Sequence, residues 1–253
     1  MTDEPAAPTE GHRLFAAVYD PVVAPFERRI APHRRWLAAD LEGTVLDVGV
    51  GTGAMFPFFA ASGADEIVGV EPDPHMRKRA VDRARECELS VTIHPTGAES
   101  LPLADDSVDV VVAALVFCTI PDVDAALDEV ARVLKPGGEF RFLEHVRADG
   151  WAARLQTAVQ PLWGHLAAGC QLDRATDERF LADDRFETVT FERIDAGIPP
   201  VDPIVRGRLV RSGDAAGDEA TADGLRGQLR ALLSRRPALP LSAVASKEWI
   251  GVL

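Results

Sequence analysis

Lysine is nearly missing from this 253-residue sequence: Lys78, Lys135 and Lys247 are three of 27 basic residues, the rest being arginine. Against them stand 40 acidic residues, giving a formal net charge of −13 and a pI near 4.9. So acidic a surface argues against nucleic acid phosphates as a partner. An acidic, lysine-poor surface also resembles that of proteins from a high-salt cytoplasm, where charge is screened over ~3 Å at 1 M. A GC-rich genome favouring Arg, Ala and Asp codons is compatible with the same composition. Cysteine is scarce as well. Cys87, Cys118 and Cys170 are odd in number and widely spaced, which gives neither a disulfide framework nor a C-x-x-C metal pair, so no metal is expected. No uninterrupted run approaches the roughly 18 apolar residues of a transmembrane segment. The opening TDEPAAPTE lacks the basic-then-apolar order of a signal peptide, and a cytoplasmic protein is the expectation. What is plentiful is core material: 47% of residues are hydrophobic, enough for one ordinary domain with appendages.

The chain is organised around Thr44–Ala54, TVLDVGVGTGA. Val45, Leu46 and Val48 read as a buried strand that breaks into glycine at alternate positions, Gly49, Gly51 and Gly53. Glycine takes positive φ freely and leaves no Cβ in a ligand's way. Met55–Ala61 reads as a helix, so the loop is expected to open a helix N-terminus with outward N–H groups. Because Gly49-x-Gly51-x-x-Ala54 also fits the dinucleotide fingerprint, this loop alone leaves the ligand open.

Residues 1–11 are acidic, rich in Pro and Ala, and read as a disordered leader. In His12–Leu41, Pro21, Pro25 and Pro32 are expected to break a helical pattern into short pieces, with Tyr19 where a lid over the glycine loop would begin. Glu66–Val70 is a second strand ending at Glu71, 18 residues after Gly53. One crossover brings that strand end beside the glycine turn, so the Glu71 carboxylate can accept both hydroxyls of a ribose. Then come a charged helix, His75–Glu88; a third strand, Leu89–His94; and Val108–Leu115, apolar enough for a central parallel strand. A helix over Asp124–Leu134 is expected to stop at a tight turn, Lys135-Pro136-Gly137-Gly138, before a fifth strand at Glu139–Val146. Trp151–Gly169 reads as an apolar helix interrupted at Pro161, and Phe186–Ile194 and Ile204–Val210 as further strands. Alternating strands and helices make this a doubly wound α/β sheet. Residues 213–253 read as an acidic linker followed by a helical, apolar extension.

Four motifs then fall in order: Asp47-x-Gly49-x-Gly51-x-Gly53, Glu71, Gly97-Ala98-Glu99, and Leu134-Lys135-Pro136-Gly137-Gly138. Over 12–212 the sequence resembles the class I S-adenosylmethionine-dependent methyltransferases. The resemblance implies a mostly parallel, seven-stranded Rossmann-like sheet with helices on both faces, and S-adenosylmethionine as cofactor. It implies that Asp47, Gly49, Gly51 and Gly53 line the methionine part, Glu71 and Pro72 the ribose, and Ala98 and Glu99 the adenine. Leu115, Val116 and Phe117 would close the site after strand four. A narrower resemblance, to the alkyl thiol methyltransferases, rests on Ser107–Cys118, Glu129–Val146 and Trp151…Gln160-Pro161-Leu162-Trp163…Gly169-Cys170-Gln171-Leu172-Asp173-Arg174. Those animal relatives carry an N-terminal hydrophobic membrane segment where this chain has its acidic leader; the tail 213–253 has no counterpart.

The acceptor implied is a small apolar molecule, with a thiol as one choice and a carbon or oxygen of a quinone- or lipid-like precursor as another. A cofactor binder without catalysis, or an NAD-dependent Rossmann protein, is the remaining alternative. Methyl transfer from a sulfonium needs positioning more than a protein nucleophile. His145, at the carboxyl edge of strand five, is the expected base, and Asp173 is a second catalytic candidate. Tyr19, Trp163, Cys170 and Arg174 are the candidate substrate residues. Cys118 and Cys170 are otherwise expected to be small buried hydrophobes.

Overall fold

Runs such as Val108–Ala114, with no polar alternation, form strands only when both faces of the sheet are covered. A computed structural model describes residues 26–213 of the chain, and that is the arrangement it has. The chain divides between Asp214 and Ala215; everything below concerns the first unit. Strands β1 (Thr44–Val48), β2 (Glu66–Val70), β3 (Thr92–His94), β4 (Val108–Ala114), β5 (Leu134–His145), β6 (Phe186–Ile194) and β7 (Ile204–Arg211) make one sheet in the order β3-β2-β1-β4-β5-β7-β6. β7 alone runs against its neighbours, pairing antiparallel with both β5 and β6. The helices are α1 (residues 26–37), α2 (Phe56–Phe59), α3 (Pro74–Glu86), α4 (Val123–Val133), α5 (Gly150–Leu166) and α6 (Thr176–Ala182). No helix among the described residues is long and apolar enough to cross a membrane.

The period-two alternation of strands divides the core. Val45, Val110, Val112 and Leu143 face α1, α2 and α3, where they meet Ile30, Leu37, Phe56, Phe59 and Ala80. Leu46, Val48, Val111, Ala113, Phe140 and Phe142 face the other way, against Ala126, Leu127 and Val130 of α4 and Phe180 of α6. There Phe180 packs on Phe142, Phe117 and Phe140, at ring-centroid distances of 4.8, 4.9 and 5.2 Å. The helix starts are written locally. Asp73 accepts from the N–H groups of His75 and Met76, with Pro74 at the first helical position, and Asp122 accepts from that of Ala125.

Arginine does work here that lysine could not. The fork of Arg132 binds Glu129, Asp105 and the Leu101 and Leu103 carbonyls, fixing the loop before β4 to α4. Buried Arg141 donates to the carbonyls of Leu37 and Ala39, closing the C-terminal end of α1.

Several boundaries differ from expectation. Residues 26–37 are one helix through Pro32, and α5 runs through Pro161. Pro161 lies on the exposed side of the helix, where its missing N–H removes one bond of the helical ladder. The Lys135–Gly138 turn does not precede β5 but bulges within it: Val108 pairs with Leu134, and Val110 already pairs with Glu139. Asp109 holds the bulge, taking Lys135 Nζ at 2.6 Å and the Thr44 N–H at 2.9 Å. This is the amino end of β4, so the motif serves the sheet and not the site. The short α6 gave no sequence signal strong enough to be placed. The apolar α5 is no core helix either: it buries Ala153 and Gln156, while Trp151, Leu162 and Leu166 are 75%, 67% and 66% exposed.

Candidate active site

In a doubly wound sheet, ligands bind beyond the carboxyl ends of the strands, where the winding reverses. Here that is the crevice between β1 and β4. The chain leaves β1 through Gly49, Gly51 and Gly53, at φ of 70°, 59° and 81°. Gly49 is required by contact, since a Cβ there would lie 2.1 Å from Val116 Cγ2. Gly51 borders open space, the nearest atom to its would-be Cβ being Gly49 O at 3.9 Å. The helix after the loop is a single turn, too short for the N-terminal site expected of it. The loop is held by the next strand instead: the N–H groups of Gly49 and Val50 donate to Val70 O, and that of Gly51 to Glu71 Oε2 at 2.8 Å.

Glu71 is buried, and its other oxygen accepts the Asp73 N–H at 2.8 Å. The acid expected to hold a ribose is therefore also the clamp of the glycine loop. Each carboxylate oxygen keeps a further lone pair for a hydroxyl. Burial pushes its pKa up, and the two backbone N–H groups pull it down. Pro72 is exposed beside it. One strand further, past β3, Ala98 is in the core and Glu99 is half-buried against Gly97.

Asp47 lies beneath the loop, and its Oδ2 has no hydrogen-bond partner among the described residues. Burial raises its pKa to about 8; Arg34 opposes the rise and Glu71 adds to it. Arg34 is itself buried and bound by Glu27 at 2.9 Å. The unmatched carboxyl, the open side of Gly51 and the spare lone pairs of Glu71 form a polar cradle that fits a cofactor with a cationic amino-acid part and a ribose. A carboxyl whose pKa is higher folded than unfolded contributes stability that is full below about pH 4 and lost as pH rises through about 8. Wild type should therefore lose stability relative to Asp47→Asn across that window, by on the order of 5 kcal/mol at most. Denaturant midpoints of the cofactor-free proteins from pH 5 to 8 check this; parallel curves would refute it.

β4 ends in Leu115, at φ 62°, whose N–H donates to Leu143 O. Glu144 Oε1 then accepts from the N–H groups of Val116 (2.9 Å) and Phe117 (3.1 Å). Leu115 and Val116 border the crevice. Phe117, expected to close the site, turns its ring into the aromatic core and contributes only backbone.

The next residue belongs to a second group of side chains. Cys118 follows β4, His145 ends β5, and Cys170 follows α5; all three are buried. His145 Nε2 is 3.0 Å from Cys170 Sγ, and Trp163 Nε1 donates to the same sulfur at 3.3 Å. The Cys170 thiol is pushed down by hydrogen bonds from Cys118, then His145 and Trp163, against the effect of burial. Cys118 is pushed up correspondingly. Both cysteines are buried as expected, and Cys170 has polar partners as well. His145 faces Cys170 and is no freestanding base.

Two glutamines build this corner: Gln160, part of the motif quoted above, and Gln156, which the sequence did not flag. Gln160 holds Cys170 O and the Leu172 N–H, and Gln156 holds the Ala148 N–H with the carbonyls of Val146, Pro200 and Asp202. Two other candidates, Asp173 and Arg174, have partners within the chain. Asp173 accepts from Thr157 Oγ1 on the exposed side of α5, and Arg174 donates to the carbonyls of Phe117 and Ile120. Tyr19 lies outside the described residues.

Comparison with known proteins agrees with this geometry. A family model described as a methyltransferase domain matches residues 46–142, from the glycine loop through β5. The human thiol S-methyltransferase TMT1B is 31% identical over 199 residues, spanning 73% of this chain and 80% of the relative. A phosphatidylethanolamine N-methyltransferase from Cereibacter sphaeroides is 32% identical over 150 residues, spanning 58% of this chain and 71% of its own. In fold, the chain is similar to a structure from the Haloferax volcanii complex of the Trm112 methyltransferase activator with a methyltransferase, at a TM-score of 0.62, 21% identity, and 79% and 97% coverage of the two chains. With the glycine loop, the clamping acid at the end of β2 and the seven-stranded sheet in place, this chain belongs to the S-adenosylmethionine-dependent methyltransferases.

Proposed function

We propose that this methyltransferase acts on the sulfur of a small apolar thiol. The observation that carries the reading is the Cys118–His145–Cys170 group with Trp163 over it, at the carboxyl ends of β4 and β5 next to the cofactor crevice. The human relative named for thiol S-methylation, similar over four fifths of its length, supports it. Bound S-adenosylmethionine supplies a methyl group on a sulfonium, open to in-line displacement. The residues of this chain bind and orient. Asp47, the glycine loop and Glu71 hold the cofactor; Leu115 and Val116 border its reacting end; Trp163 and Cys170 receive the apolar acceptor. Little further activation is needed, because a thiol of pKa near ~8.5 is partly thiolate at neutral pH.

The purified chain should convert a small alkyl thiol and S-adenosylmethionine to the methyl thioether. Trp163→Ala should raise KM for that thiol by about tenfold, the loss of roughly 1.4 kcal/mol of contact, with cofactor affinity unchanged. A lipid-like acceptor is the second reading, favoured by the exposed apolar side chains of α5 and the bacterial phospholipid methyltransferase among the relatives. Methylation of phosphatidylethanolamine or a quinol, with no thiol turnover, would decide for it.

A further inference from the structure

We infer that Cys118, His145 and Cys170 bind a zinc ion and leave a fourth coordination position open to the sulfur of the acceptor. The three side chains are buried, and their ligand atoms all lie within 4.8 Å of one another. Atoms bound to one zinc at ~2.0–2.3 Å stand about 3.6 Å apart in a tetrahedron. The pair measured here, His145 Nε2 and Cys170 Sγ at 3.0 Å, need open by only about half an ångström to reach that spacing. Two sulfurs and an imidazole form a donor set that suits zinc, whereas magnesium and calcium prefer oxygen. Three protein ligands, not four, is the number found where zinc does chemistry and keeps a place for substrate.

The surroundings hold the two cysteines in place. Trp163 Nε1 donates to Cys170 Sγ, Gln160 Nε2 donates to Cys170 O at 3.0 Å, and the Gln171 N–H donates to Cys118 O at 2.9 Å. Such outer contacts orient metal ligands and tune their basicity. Charge favours the ion as well, since two thiolates and one Zn²⁺ sum to zero in a buried place where an unmatched charge is costly. The ligands also come from three separate elements, so a metal there would pin the turn after α5 to the ends of β4 and β5.

The identity of the fourth ligand rests on the thiol reading; the zinc itself does not. A thiol entering the open position displaces water: the zinc–sulfur bond forms, the zinc–oxygen bond breaks, and the thiol proton passes to solvent.

The test uses the full chain, purified under reducing conditions. Metal analysis should find about one zinc per chain, lost in Cys118→Ser and Cys170→Ser and kept in Cys87→Ser. Cobalt exchanged for zinc should show thiolate-to-metal charge transfer, and adding a small alkyl thiol should shift that spectrum. If the serine variants fail to fold, zinc content and cobalt spectrum of the unaltered protein still decide. A folded chain without zinc and without a cobalt–thiolate band overturns the inference. Thiol methylation by such a metal-free chain would do so while leaving the proposed function standing. A cobalt spectrum indifferent to thiol removes the open position and counts against the thiol reading.

Discussion

Glu71→Ala should bind S-adenosylmethionine at least a hundredfold more weakly than the unaltered chain, with the fold intact. The carboxylate accepts from the Gly51 and Asp73 N–H groups and is the acid we propose to hold the ribose. Hydrogen bonds to a charged group contribute about 1.5–3 kcal/mol each, or roughly 10–100-fold apiece. Alanine removes the ribose partner and unclamps the loop together, so the two losses compound. Glu71→Gln separates them: its single carbonyl oxygen can satisfy one backbone N–H, while its amide opposes the other, giving an intermediate loss. Calorimetric titration with S-adenosylhomocysteine, alongside thermal melts of each protein, reads both. Equal affinity in Glu71→Ala and wild type would show that the acid at the end of β2 does not hold the cofactor.

Phe140→Ala should be the most destabilising single truncation in the sheet. The ring is fully buried and stacks with Phe117, Phe142, Phe180 and Phe186, joining β5, α6 and the end of β4. Emptying such a site costs about 3–5 kcal/mol, equivalent to a fall in Tm of about 6–20 °C for a domain of this size. The effect should reach the site, because Phe117 leans on Phe140 and the next residue is Cys118. Val189→Ala, on a side chain 44% exposed, should stay within about 0.5 kcal/mol. A Phe140→Ala protein that melts with wild type would mean that the aromatic group repacks freely.

How far the sequence reached depended on how local each signal was. The glycine loop was legible because positive φ and an apolar strand are written in consecutive residues. Glu71 was legible because one helix crossover fixes where the next strand ends. Lys135–Gly138 misled: a local turn signal cannot tell a strand's beginning from a bulge inside it, and only the pairing with β4 decides. The cysteine group was invisible for the opposite reason. Residues 118, 145 and 170 come together only because β4 and β5 are neighbours and α5 returns the chain to their ends. Gln156 carries no charge and belongs to no motif, so nothing in its spacing distinguishes it from a surface residue of a helix. Arg174 reads as orienting substrate; the carbonyls it holds, those of Phe117 and Ile120, lie more than fifty positions away and no local pattern announces them.

The reversed strand β7 gives this protein a timetable. It is the last of the described strands to leave the ribosome, yet it lies between β5 and β6. Fifty-nine positions separate His145 from Ile204, so at roughly 5–20 residues per second the outer edge of β5 waits about 3–12 s for its neighbour. β6 is finished during that interval and has no strand to join. Until β7 is made, β5, which carries Phe140 and Phe142, has no partner on its outer side, the kind of edge that invites association with other chains. Slower synthesis of residues 146–211 lengthens the wait of that edge for its partner.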